Sequence, residues 1–345
     1  MSIKNMNTIK IRKPNDFHHH LRDKDILPFT TKHCFTKFKN VIVMPNLTPP
    51  ITTIDEAGNY RKRILNLDTH NGKPLMTLYF HKELKEEDLR NFKKHSFMGG
   101  IKYYPKNATT NSQFGIENIE DCYHIFKIME EEGIPLLIHG ESIKFGVDIF
   151  DKEATFIEEE LIKIIKAFPN LRIVLEHITT KKAVDFVLTH NIHATITPHH
   201  LLLDRNDIFK GGINPHLYCL PILKRNTDKF ALVSAAISGK SNFFLGTDNA
   251  PHLEENKLSS CGCAGIFNSP VAIEIITQIF EENDSIHTLE KFISTNGCDF
   301  YNLPYNEDYI TLKKEKWRVP DAYYPLENKR IIPLYASKDI NWKII

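Results

Sequence analysis

Eight short apolar runs recur along the chain at a nearly constant interval, and this recurrence limits the fold more than any other feature. They are Ile9–His20, Val41–Asn46, Leu75–Phe80, Gly100–Tyr104, Pro135–His139, Leu171–His177, His193–Thr197 and Asn242–Asp248. Runs of this kind read as buried strands. The stretches between them carry helix signals: Thr53-Ile-Asp-Glu56 has capping-box spacing, Gly133 is a stop after Glu117–Glu132, and Ser269-Pro270 opens Val271–Glu282. From His20 to Asp248 the chain runs 228 residues over seven units, roughly 33 each, which suits the ~250-residue size of a (β/α)8 TIM barrel. A doubly wound sheet is the alternative. No Pro/Gly/Ser-rich linker divides the chain, so residues 1–300 read as the barrel and 301–345 as a C-terminal extension packed on it.

Composition narrows the function classes. The 345 residues include 41% hydrophobic residues, enough for a large core, and 44 Lys+Arg stand against 43 Asp+Glu for a net charge of +1. Such a balance gives no field to hold a nucleic-acid backbone. The longest apolar stretches, such as Phe230 to Ile237, fall short of the ~18–20 residues that span a bilayer. The opening Met-Ser-Ile-Lys-Asn lacks the apolar segment of a secretory signal, so the expected compartment is the cytoplasm. Six scattered cysteines read as reduced thiols; Cys261 and Cys263 form a C-x-C pair whose spacing does not match zinc ribbons. The 17 histidines are the unusual count, and they cluster at His18-His19-His20 and His199-His200.

Chemistry collects where the runs end. His18 and His20 close the first run, Asn46 the second; Lys102 lies in the fourth; His139, His177 and Asp248 end the fifth, sixth and eighth. In a barrel these C-terminal strand ends form one mouth, so residues distant in sequence converge there. His18 and His20, two apart on a strand, share a face, and His19 points away. Neutral imidazoles suit a divalent metal, and four histidines with an aspartate at one mouth make a metal the simplest account. Lys102 stands in Gly99-Gly100-Ile101-Lys102-Tyr103-Tyr104, where a bare ammonium is costly to bury. A carbamate formed on its amine by carbon dioxide would instead present two anionic oxygens able to bridge two metals. His199 and His200, preceded by Pro198, read as shaping the seventh loop. Arg22, two residues beyond His20, shares its face and offers a planar fork for a carboxylate.

Several blocks, in order, carry a specific resemblance. Asp16-Phe17-His18-His19-His20-Leu21-Arg22-Asp23, Val43-Met44-Pro45-Asn46-Leu47, Lys102-Tyr103-Tyr104-Pro105 and Asn107-Ala108-Thr109-Thr110-Asn111 are similar to the dihydroorotase family of the amidohydrolase superfamily. So are Leu136-Leu137-Ile138-His139-Gly140-Glu141, Glu176-His177-Ile178-Thr179-Thr180, Leu217-Tyr218-Cys219-Leu220-Pro221-Ile222-Leu223-Lys224 and Gly246-Thr247-Asp248-Asn249-Ala250-Pro251-His252. Ser259-Ser260-Cys261-Gly262-Cys263-Ala264-Gly265 resembles the bacterial-type, single-function class. The matches run from about residue 8 to 303. Two positions depart from the pattern: His19 stands where an apolar residue is expected, and Phe17 replaces a tryptophan.

The resemblance implies two divalent metal ions, expected to be Zn2+. His18, His20, Asp248 and carboxylated Lys102 would ligate one, and Lys102, His139 and His177 the other. It further implies reversible hydrolysis of dihydroorotate to N-carbamoyl-aspartate in de novo pyrimidine (UMP) biosynthesis, with a metal-bridging hydroxide as nucleophile and Asp248 as general acid/base. Substrate contacts fall to His20, Arg22, Asn46, His139, His252 and the backbone at Leu220, Ala264 and Gly265. Thr109 and Thr110 sit on a mobile loop that folds over the substrate, and relatives suggest a homodimer. Two rivals remain: another cyclic-amide hydrolase of the dihydropyrimidinase or hydantoinase type, and a catalytically dead scaffold. Arg22, Asn46 and His252 favour an acidic substrate over a neutral ring. All six ligand positions are filled by suitable residue types, which argues against a dead scaffold.

Overall fold

The computed structural model describes residues 7–260 and 262–345. Eight parallel strands follow one another around a ring in chain order: β2 (Asp16–His19), β3 (Asn40–Val43), β4 (Lys73–Tyr79), β5 (Met98–Tyr103), β6 (Leu136–Ile138), β7 (Ile173–Leu175), β8 (His193–Ile196) and β9 (Phe243–Leu245). Asp248 N donates to His18 O at 2.8 Å and His20 N to Asn249 O at 3.1 Å. These bonds bring the end of β9 against β2 and close the ring, so the fold is the expected (β/α)8 barrel rather than a doubly wound sheet.

Strand alternation sorts the apolar residues into two layers. Ile42, Leu75, Leu137, Val174 and Phe244 pack with Phe17 in one buried cluster inside the barrel, while flanking residues such as Val41, Val43, Leu136, Ile138 and Ile173 join the larger cluster under the helices. Burying both faces accounts for the continuous apolar runs. The helix Ile54–Leu65 starts on Thr53, whose hydroxyl accepts from Glu56 N while the Glu56 carboxylate reaches back to the Thr53 N–H. The helix Tyr123–Glu132 stops at Gly133, which takes the left-handed conformation.

The first apolar run departs from a single strand. Pro14, lacking an N–H, interrupts it, and it divides into β1 (Thr8–Arg12) and β2. Lys13 N then donates to Asp308 O and Asn15 N to Ile293 O. β1 pairs antiparallel with β10 (Tyr309–Arg318), which pairs with β13 (Asp339–Ile344). β11 (Tyr323–Leu326) and β12 (Lys329–Ile331) form a hairpin. Within β2 the pairing to β3 slips between Asp16 and His19. This bulge lets the adjacent Phe17 and His18 both serve the interior, Phe17 in the apolar cluster and His18 against Glu176.

Candidate active site

The strand ends converge as the barrel requires. His18, His20 and Asp248 form a buried group whose ligand atoms lie within 4.8 Å of one another. Asp248 Oδ1 is 3.0 Å from His20 Nε2 and 3.4 Å from His18 Nε2. Burial pushes the His20 imidazole down to about 3, so it stays neutral and keeps a lone pair for a cation. Asp248 is held well below the usual carboxylate range: burial opposes its charge, but the bonds to His18 and His20 prevail. Asp248 and His177 both adopt positive φ, 45° and 41°. Such strain in non-glycine residues gathers at functional sites and re-aims side chains at strand ends.

The second half of the site is built on β5, β6 and β7. His139 Nδ1 lies 3.2 Å from His177 Nε2. Both imidazoles are driven toward the neutral form by burial first, with Lys102 acting in the same direction. Lys102 on β5 is fully buried, and among the described residues its Nζ has no hydrogen-bond partner. The centre of the Tyr104 ring lies 5.3 Å from that Nζ. Burial lowers the Lys102 pKa to about 8, against the pull of Glu176 and Asp248. Among histidines and a carboxylate, a lysine without a hydrogen-bond partner is costly to bury as a bare ammonium.

Above these groups lies a small, partly enclosed cavity of about 20 Å³, lined by His20, Arg22, Asn46, Thr109, Thr110, Leu220, Asp248, Ala250, Ala264 and Gly265. Arg22 Nε donates to Pro251 O at 3.2 Å, and its Nη2 lies 2.9 Å from His252 Nε2. His252 Nε2 is also 3.0 Å from Ala264 O. Asp23 is engaged elsewhere, by Arg63 at 2.7 Å, and Arg22 lines the cavity. The loop 105–115 covers the opening. Asn46 Nδ2 donates to Thr110 O at 3.0 Å, Asn111 Nδ2 returns a bond to Asn46 O at 2.9 Å, and the Thr110 hydroxyl reaches Ala264 O at 3.4 Å.

Two carboxylates that the strand-end reading left without a role stand behind the histidines. Glu176 Oε2 accepts from His18 Nδ1 at 2.8 Å and from the Thr195 hydroxyl at 2.5 Å. Glu141 Oε2 accepts from His139 Nε2 at 2.9 Å. Each fixes a ring tautomer and turns the other nitrogen inward. His19 points away from the site: its Nδ1 donates to Asp16 at 2.7 Å, its Nε2 accepts from Asn249 at 3.2 Å, and Asp16 also accepts from Thr247 N at 2.7 Å. The polar residue at an expected apolar position is thereby satisfied and braces the end of β9. His199 and His200 sit in the short helix Pro198–Leu202 after β8. With Cys219 they form another buried group of donor atoms within 4.8 Å, but both His200 nitrogens are engaged, by the Thr197 hydroxyl at 2.8 Å and Pro221 O at 3.0 Å. The five described cysteines form no disulfide; Cys261 lies outside the described residues.

The closed parallel barrel with its His18–His20–Asp248 group defines a barrel hydrolase of the amidohydrolase type. The dihydroorotase of Acaryochloris marina is 48% identical over 344 residues, covering 99% of each chain. The chain belongs to the dihydroorotase family. Among solved structures, dihydroorotase of Saccharomyces cerevisiae in complex with 5-fluoroorotic acid matches with TM-score 0.92 and 34% identity over 99% of each chain. Dihydroorotase of Campylobacter jejuni gives TM-score 0.90 and 36% identity over 98% of this chain and 97% of that one. An L-hydantoinase of Arthrobacter aurescens, at 14% identity and TM-score 0.78, shares the fold. No protein-family model matches the chain. Among the described residues no helix is long and apolar enough to cross a membrane.

Proposed function

We propose that this chain catalyses the reversible hydrolysis of (S)-dihydroorotate to N-carbamoyl-L-aspartate, the ring-closing step of pyrimidine biosynthesis when run backwards, in the cytoplasm and as a homodimer. The observation that carries the reaction is that Arg22, held beside His252, lines one small cavity together with His20 and Asp248 of the His–Asp group. Family membership supports the substrate; compartment and dimer rest on the family resemblance alone.

The donor set fits two divalent ions, expected to be zinc. His18, His20 and Asp248 would hold one, His139 and His177 the other, and Lys102 would span both once its amine has added to carbon dioxide and lost a proton. The buried, unpartnered Nζ of Lys102 is what supports that modification. When bound, the ions would supply an activated water and polarise the ring carbonyl. The chain's own residues do the rest. Arg22 and Asn46 hold the substrate carboxylate, with His252 beside them. Asp248 takes the proton of the attacking water and delivers it to the departing ring nitrogen; the reverse reaction uses the same carboxylate in the opposite sense. Leu220, Ala264 and Gly265 offer backbone groups to the ring amides, and Thr109 and Thr110 close the cavity against water.

Metal content by mass spectrometry, run beside an assay of dihydroorotate and carbamoyl-aspartate interconversion, tests this. Two metals per chain with turnover of these acids, and none of dihydrouracil, is the expected result. Turnover confined to the neutral ring would replace this reading with a hydantoinase-type activity.

A further inference from the structure

Between His252 and the Ala264–Gly265 backbone, the short helix Glu254–Lys257 ends on a buried lysine. Lys257 is 4% exposed, and its Nζ donates to Tyr218 O at 2.7 Å, Cys263 O at 2.9 Å and Gly265 O at 2.9 Å. An ammonium has three donors, so the three carbonyls satisfy it. Burial opposes its charge and lowers its pKa to about 8, and among the described residues it forms no ion pair.

The three acceptors belong to two loops. Tyr218 lies in the segment after β8, two residues before Leu220, and Cys263 and Gly265 lie in the segment after β9. Leu220, Ala264 and Gly265 all line the cavity above Asp248. Gly265 N also donates to Tyr218 O at 3.0 Å. The approach is close: Gly265 has φ +146°, and a Cβ there would stand 2.5 Å from Ala250 O. None of the three acceptors is a candidate metal ligand.

We infer that Lys257 is a positioning residue for substrate binding: its ammonium ties the two loops whose backbone meets the substrate, and no carboxylate cancels its charge beside the pocket for an acidic ligand. The inference rests on the reaction proposed above. Removing the ammonium takes away the donor that the three carbonyls share, leaves the buried Gly265 O without it, and leaves the Gly265 N to Tyr218 O bond as the tie between the loops. Binding weakens while the groups that move protons stay in place.

The test is Lys257→Met in the metal-loaded full chain, with wild type beside it. KM for dihydroorotate and for carbamoyl-aspartate should rise by about 10-fold or more, while kcat stays within about threefold. Metal per chain and Tm should hold. Lys257→Gln, which keeps two donors, should fall between, and it is read in the same way if the Met variant does not fold. An unchanged KM in a folded variant, or a kcat loss that follows lost metal, overturns the inference while leaving the reaction intact. Failure of both variants to fold marks Lys257 as structural alone and overturns it too. A wild type that interconverts neither acid overturns the assigned reaction, and this inference with it.

Discussion

Glu176 Oε2 stands 2.8 Å from His18 Nδ1, with both side chains buried. The carboxylate comes from the end of β7 and the imidazole from β2, so the bond crosses the barrel mouth. It holds the proton on Nδ1 and leaves Nε2 facing Asp248. Carboxylates behind metal-binding histidines typically contribute 10–100-fold to metal affinity. Glu176→Gln should therefore weaken metal binding by about that factor, read by competition with a chelator. Equal affinity in the variant and wild type would show that Glu176 does not orient a ligand.

Among the described residues the buried Lys102 Nζ has no hydrogen-bond partner, the condition under which a lysine is costly unless modified or neutral. Lys102→Ala should lose bridged metal and nearly all activity, because both ions lose an anionic ligand. Intact mass spectrometry adds a second readout: wild type should carry the mass of one added carbon dioxide, removable by acid. A variant that keeps two metals and normal turnover would end the bridging role.

The barrel and the convergence at its mouth were legible because both rest on local signals: apolar runs of strand length, regular spacing, and a histidine or aspartate at the end of four of the eight runs. What lay beyond reach depends on closure. Alternation in Ile9–His20 puts His18 and His20 on one face, but the slip between Asp16 and His19, which brings Phe17 inward as well, arises from pairing with β3 and leaves no mark in the run itself. Glu176 and Glu141 sit beside quoted histidines, yet their roles appear only once neighbouring strand ends are packed together. A carboxylate at the end of an otherwise apolar run was the available signal. Lys257 lies in the polar stretch Glu254-Glu255-Asn256-Lys257, and its burial follows from two segments folding over it.

Asp248 accepts from His20 at 3.0 Å and lines the cavity, so it can meet both a metal and a substrate. Asp248→Asn keeps an oxygen for the cation but cannot take a proton. Substantial metal binding should persist while kcat falls by ~10²–10⁴, the contribution of a positioned acid/base. A metal-loaded variant with near-normal kcat would remove Asp248 from proton transfer.

The loop 105–115 is fastened over the cavity by few and weak links. Asn46 Nδ2 donates to Thr110 O at 3.0 Å, Asn111 Nδ2 donates to Asn46 O at 2.9 Å, the Thr110 hydroxyl reaches Ala264 O at 3.4 Å, and the Tyr79 hydroxyl reaches Asn111 O at 3.4 Å. Ser112 ties the tip internally, its hydroxyl donating to Thr109 O at 2.6 Å. A compact tip on a neck closed by Lys106 N to Ile116 O and Ile116 N to Tyr104 O can leave and return as a unit, as a lid must for substrate to enter. Asn46 serves both as latch to Thr110 and as a donor aimed at the cavity, so substrate binding and closure compete for or share one amide. Thr109→Ala with Thr110→Ala removes two hydroxyls at the cavity wall and leaves the ligand histidines untouched. The double variant should lower kcat/KM by at least ~10-fold, or ~1.4 kcal/mol of transition-state stabilisation, with metal content and Tm almost unchanged. Steady-state kinetics on metal-quantified protein decides the matter: unchanged kcat/KM, or a loss that merely tracks missing metal, would make the loop a passive cover.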